Sequence, residues 1–276
     1  MISNLIRILK LSLLYVILTI FCIITLLPLF WTFIISIKSP KDLAAAPVAL
    51  AFRPSLENYQ RALIGVRFVK FFQNSFVIAI TSAAIAIILT VPTAYVSARF
   101  GVGGQFLKQW ILSMWFLPPV VTAIPIFILM QFLKILDTYL ALLIPYLLMN
   151  MPFSFLLLAS FIQEVPKELE EAALVDGCSR LRAFWKIIFP LTLPGFLITF
   201  AFCFMFAWNE YFFALILTGT KRMTLPVHIT SYLSIHSIAW GEVAAVGIIM
   251  TVPMLILLIV IQKYLVRGLT MGALQS

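Results

Sequence analysis

Five of the chain's ten acidic residues, Glu164, Glu168, Glu170, Glu171 and Asp176, crowd into one short stretch, and Arg180, Arg182 and Lys186 follow at once. The chemistry such a stretch offers is charge recognition of a soluble partner. A membrane enzyme would need a cluster of His, Asp or Cys at one depth, and none is apparent. His228 and His236 lie eight residues apart in one segment, and Cys22, Cys178 and Cys203 are scattered. No pair has metal-ligand spacing, so neither a zinc site nor a structural disulfide is expected. One further acid stands apart. Glu210, beside Asn209, interrupts an otherwise apolar run, where a carboxylate is costly enough to mark function. A polar contact that only holds the structure together, or nearness to the outer surface, would account for it equally. Asn150 and Gln131 are weaker polar candidates for a path through the membrane.

The elements that position these residues are membrane helices. The 276 residues are 63% hydrophobic and only 11% charged, with a mean hydropathy of +1.11. Soluble domains carry about 25% charged residues. Runs at 11–37, 71–98, 109–133, 138–163 and 243–262 are free of charge, and 191–217 is broken only by Glu210. Each reaches the roughly 20 residues that cross a bilayer as helix. The runs are continuous rather than alternating, which excludes a β-barrel. The expectation is an all-α membrane protein: a single transmembrane domain over 1–276 with six transmembrane helices and both termini on one side. The first run is too long for a signal peptide, and no small-residue cleavage site follows it. It is read as a retained helix.

Charge does not orient the chain. With the N-terminus inside, ten Lys and Arg residues fall inside and nine outside, almost no positive-inside bias. Most of the net +9 flanks the spans, so it does not point to nucleic acid. Pro118, Pro119 and Pro125 predict kinks in the third span, and Pro145 and Pro152 in the fourth. Between the first two spans, 55–63 reads as a short helix with Ser55 as its N-cap. Gly101, Gly103 and Gly104 make a tight turn, and 219–242 is long enough for a small cap.

Within the charged loop, 164–190, Pro166 suits a first helical turn. Glu168, Glu170 and Glu171 favour the positive end of the helix dipole. Gly177 sits where that helix would stop, and Ser179 can cap a second helix. The second arm carries Arg180, Arg182 and Lys186 on one side and Leu181, Phe184, Trp185 and Ile188 on another. Pro190 and Pro194 mark re-entry into the membrane. The loop is a helix–Gly–helix elbow. Its basic, aromatic arm would suit lipid headgroups, but anionic lipid would repel the acidic arm.

Glu171, Ala172 and Ala173, then Gly177, then Ile187 and Pro190 match in spacing the EAA signature of ABC importer permeases. Asp176-Gly177-Cys178-Ser179 resembles the DGAS form of carbohydrate importers, with Cys178 in place of alanine; Phe189 replaces the usual leucine before Pro190. The resemblance extends over nearly the whole chain. Leu56-Glu57-Asn58-Tyr59 is similar to the family's LENY segment, and Asn74-Ser75 to the opening of its second span. Ala207-Trp208-Asn209-Glu210 is similar to its AWNE element, and 264–273 to its RGLTxGA ending. The subgroup it most resembles is the maltose-permease G-type subunit.

This resemblance implies a permease subunit of an ATP-driven, binding-protein-dependent importer, of sugar type, in a bacterial or archaeal inner membrane. A permease for another solute, such as polyamines, is the nearest alternative, and a secondary carrier a more distant one. The elbow would face the cytoplasm, with both termini, and dock on an ATPase. Glu171 would pair with a base there, Ala172 and Ala173 would allow close approach, and Gly177 would make the bend, with Asp176, Ile187 and Pro190 completing the motif. The partners implied are a second, homologous permease forming a heterodimer, two ABC ATPases and an extracytoplasmic binding protein, besides membrane lipid. Nothing in the chain resembles a phosphate-binding P-loop. No cofactor is therefore expected on it, and the partners would use ATP and Mg. The tail, 268–276, is short and neutral; by resemblance Gly268, Leu269 and Gly272 would reach between the ATPase subunits.

Overall fold

The structure is a computed structural model that describes residues 2–64, 68–233 and 238–273, with side chains over 10–64, 68–233 and 238–264. Apart from one antiparallel bridge between Leu233 and Ile238, regular structure among the described residues is helical. Helix α1 (Ile2–Ser36) is followed by two short helices, α2 (Pro40–Ala45) and α3 (Glu57–Ile64). Then come α4 (Phe68–Phe100), the pair α5 (Gly104–Trp115) and α6 (Pro119–Phe132), and α7 (Tyr139–Glu164). The charged stretch forms α8 (Lys167–Val175) and α9 (Arg180–Ala183). The latter passes through a π-helical turn (Phe184–Ile188) into α10 (Phe189–Trp208). Short helices α11 (Phe212–Leu217) and α12 (Leu225–Ile229) lead to α13 (Trp240–Ala273). Five of these are long and apolar enough to cross a membrane, and there are six spans if α5 and α6 count as one.

The expected third span is not a kinked helix but two helices meeting at 82°. The cause is the Pro118–Pro119 pair. A residue before proline is driven out of the helical region, and Pro118 is extended, with φ −61° and ψ 130°, while Pro119 opens α6. Pro125, Pro145 and Pro152 stay inside helices. The expected fifth span also breaks. Helix α10 stops at Trp208 and α11 begins at Phe212, so Glu210 lies between two helices rather than within one.

The chain divides into two compact units, Met1–Val66 with Ser231–Val252, and Arg67–Thr230 with Pro253–Ser276. In the first, α1 is exposed along 10–30, as befits a helix whose solvent is lipid. The LENY segment fastens the turn that follows α1. The expected N-cap shifts by one residue: α3 opens at Glu57, the Leu56 carbonyl takes the Gln60 amide at 2.9 Å, and Ser55, just before it, accepts from the Glu57 amide at 3.2 Å. Buried Asn58 donates to the carbonyls of Ser36 at 3.0 Å and Lys38 at 2.6 Å. Tyr59 bonds to the Ser36 hydroxyl at 2.9 Å. Lys38, expected as a span-flanking surface cation, is fully buried. Its ammonium donates to the Pro47 carbonyl at 2.7 Å and faces the rings of Phe52 and Trp31.

In the second unit α4, α7 and α10 pack on one another. Ala79, Ala83, Ala86 and Ala94 of α4 are fully buried; side chains this small let backbones approach closely where lipid offers no hydrophobic drive. The Thr90 and Ser154 hydroxyls bond at 2.8 Å across α4 and α7. Towards the charged loop Phe155, Leu158, Ile162, Phe184, Ile188 and Phe196 complete the core. The π-helical turn has a local cause. Pro190 has no N–H for the Lys186 carbonyl, and its ring crowds that group. A widened turn over Phe184–Ile188, closed by the Phe189 amide on the Phe184 carbonyl, makes room. The second arm therefore enters the membrane without a break.

Candidate functional site

Helix α8 ends in a hydrogen-bonded reversal. The Cys178 amide reaches back to the Ala173 carbonyl at 2.9 Å and the Gly177 amide to Leu174 at 3.0 Å. This six-to-one, five-to-two pattern requires a left-handed residue, and Gly177 supplies it with φ +84°. Ser179 at once caps the next helix, accepting from the Arg182 amide at 3.3 Å. Four residues, 176–179, thus turn the chain between two helices, with hydrogen bonds at the end of one and the start of the next.

The elbow presents a mixed outer face. Glu168, Glu171, Ala172 and Asp176 are exposed, as are Arg182, Lys186 and Pro190. Leu169 and Val175 of the first arm are 45% and 88% exposed, and Leu181 and Trp185 of the second 70% and 56%. Ile187 is half-buried and Ala173 is buried against this chain, so of the two alanines only Ala172 faces outward.

Glu170 turns inward. It is buried, and one carboxylate oxygen meets Arg99 Nε, from the last turn of α4, at 2.9 Å. The other accepts from the Tyr95 hydroxyl. Arg99 Nη1 also donates to the Val165 carbonyl, at the end of α7, at 2.8 Å. Nothing in the sequence separates Glu170 from Glu171, and Arg99 reads there as an ordinary flanking cation. A cavity of about 460 Å³ lies between α4 and the second arm, its lining apolar save for Tyr95 and Arg180; the Arg180 guanidinium stands 4.7 Å over the Phe100 ring.

The four polar candidates for a membrane path differ in their surroundings. Gln131 and Asn209 are exposed, and Asn209 bonds its own helix at Met205. Asn150 is buried and donates to the Cys203 carbonyl at 3.3 Å, joining α7 to α10. Glu210 is buried, and its carboxylate accepts from the amides of Phe213 at 2.9 Å and Ala214 at 3.1 Å. It caps α11, with the Tyr146 hydroxyl beside it.

Sequence reasoning missed Asp137. Its carboxylate accepts from the amides of Gly219 at 3.0 Å, Lys221 at 3.1 Å and Arg222 at 2.8 Å. Asn74 donates to the Lys221 and Met223 carbonyls, and Ser75 accepts from the Leu225 amide at 2.7 Å. Segment 219–225 is thereby pinned at the start of α4, roughly 37 Å along that helix from Arg99. Asp137 itself takes a left-handed backbone, with φ +57°. Among the described residues no cluster of three His, Cys, Asp or Glu could hold a metal ion; His236 lies outside them. So do the side chains at Gly268, Leu269 and Gly272, where the backbone continues α13 as helix.

The model for the inner membrane component of binding-protein-dependent transport systems matches residues 87–271, from mid-α4 through the elbow and nearly to the end of α13. The chain belongs to this family. It is a membrane permease subunit of the ABC importer class, not an enzyme. The permease is 33% identical to a sulfoquinovosyl glycerol transport system permease protein of Agrobacterium fabrum, over 91% of this chain and 89% of that one. It is also 33% identical to the trehalose/maltose transport system permease protein of Thermococcus litoralis, over 92% and 93%. Among solved structures, a bacterial ABC transporter involved in import of the acidic polysaccharide alginate contains a chain that superposes with a TM-score of 0.75. That chain is 25% identical, with 94% of this permease and 96% of that chain covered.

Proposed function

We propose that the permease imports a sugar or oligosaccharide, and that its elbow takes up the motion of ATP-hydrolysing partners and passes it to the spans. The observation that carries the second part is the outer face of the elbow. On the first arm Leu169 and Val175 are exposed along with Glu168, Glu171 and Asp176. Apolar side chains held outward on a hydrogen-bonded turn and rimmed by charge suit a protein partner. Sugar specificity is supported by the carbohydrate substrates in the names of the relatives.

In this reading the elbow and both termini lie on the cytoplasmic side of the inner membrane. The permease pairs with a second, homologous one, and two ABC ATPases bind one elbow each. A substrate-binding protein delivers the sugar from the other side. The chain holds no cofactor; ATP and Mg belong to the ATPases. Glu171 is the exposed carboxylate that pairs with a partner base, and the end of α13 reaches the ATPases.

Reconstitution in proteoliposomes with all partners tests this. Glu171→Ala and Gly177→Pro are expected to insert and assemble but lose binding-protein-stimulated ATP hydrolysis and sugar uptake. Normal uptake by Gly177→Pro would remove the elbow from the mechanism. Uptake by this permease as a homodimer would remove the second permease.

A further inference from the structure

We infer that Arg99 and Glu170, with Tyr95, are positioning residues for coupling: they lock the elbow to α4 and α7, so that the three move as one body. The inference rests on the elbow being the ATPase contact. Two carboxylates stand side by side in α8 and have opposite fates. Glu171 faces out, whereas both oxygens of Glu170 are committed within the chain, to Arg99 and to Tyr95. Arg99 holds α7 as well, through the Val165 carbonyl. Tyr95 touches both arms of the elbow. Its hydroxyl donates to Glu170 in the first, and its ring meets Phe184 of the second edge-on at 5.3 Å.

Stability alone is a poor reason for such a cluster. The Arg99 and Glu170 side chains are only 3% and 8% exposed, and Arg99 Nε, 2.9 Å from the carboxylate, and Nη2 are both buried without a hydrogen bond. Apolar residues would hold a buried junction at least as well. What the cluster adds is a set of links between elements: Arg99 reaches the Glu170 carboxylate in α8 and the Val165 carbonyl at the end of α7, and Tyr95 meets both arms. The two arms of the elbow are joined through the single turn at Gly177. A lock on both sides of it passes a push to the spans instead of absorbing it in the turn. Rigid-body rocking of permease halves requires a link of that kind.

The test uses the whole complex in proteoliposomes, with Cys22, Cys178 and Cys203 replaced and spin labels at the exposed positions Phe100 and Val175. With the pair intact, the distance between labels is expected to be the same in the resting and ATP-bound states. In the neutral double variant R99Q/E170Q the distance distribution broadens. Sugar moved per ATP hydrolysed then falls about tenfold, within the usual range of coupling between sites, while stimulated hydrolysis persists. Y95F gives a smaller loss of the same kind. A label distance that changes between states in the intact protein overturns the proposal. So does an unchanged sugar-to-ATP ratio in the double variant. If that variant does not assemble, the distances in the intact protein decide. Gly177→Pro separates the two readings. If it fails while R99Q/E170Q behaves normally, only the lock is wrong; if it transports normally, the elbow reading falls.

Discussion

Asn58 fills the space that a side chain at position 241 would need. A Cβ built on Gly241 runs into the Asn58 side-chain amide, and that amide holds the carbonyls of Ser36 and Lys38. Gly241→Ala should therefore displace Asn58 and strip two carbonyls of their donor, a loss of about 1–3 kcal/mol. Thermal or denaturant unfolding in detergent measures it. Asn58→Ala alone should cost a similar amount, and Gly241→Ala added to it much less. Additive losses would show that the two residues do not share the site.

Asp137→Asn should free segment 219–222. An amide can supply one acceptor oxygen where the carboxylate now serves three N–H groups. The expected result is faster amide hydrogen exchange at Gly219, Lys221 and Arg222, with the elbow unaffected. Unchanged protection at those three amides would contradict the pinning role.

Glu210→Ala should lose the cap of α11, at about 1–2 kcal/mol of stability. Glu210→Gln keeps an acceptor oxygen and should transport at close to the normal rate. Loss of uptake in the Gln variant with normal thermal stability would give the carboxylate a part in the translocation path itself.

Burial against Phe68 and Phe71 pushes the His228 imidazole below its ordinary 6.5. The unfolded chain then binds a proton more readily than the folded one, so stability falls as pH drops below 6.5 and is full above it. Melting curves between neutral and mildly acid pH should show this decline, and a variant lacking the imidazole should lose that share of it.

The apolar runs and the elbow were legible because each rests on local rules: bilayer thickness sets run length, and a left-handed residue sets the turn at Gly177. What decided the remaining details was contact at long range. A run of acids does not reveal that Glu170 faces Arg99 while Glu171 faces out. Lys38 reads as a surface cation until the carbonyl of Pro47 is found beside it. Glu210 was visible as an anomaly, and its use as a helix cap became clear only with the chain break at Asn209. The Pro118–Pro119 pair announced a bend, but its size depended on Pro118 adopting an extended backbone.

The widened turn at Phe184–Ile188 gives the second arm a phase offset. Each residue winds a helix by about 100°, so the compass bearing of the elbow around the fifth span is fixed by how many residues lie between Ser179 and Pro190. Exchanging one side chain for another there leaves that bearing alone. Removing or adding a single residue swings the whole elbow around the span, which makes this segment tolerant of spelling and intolerant of length.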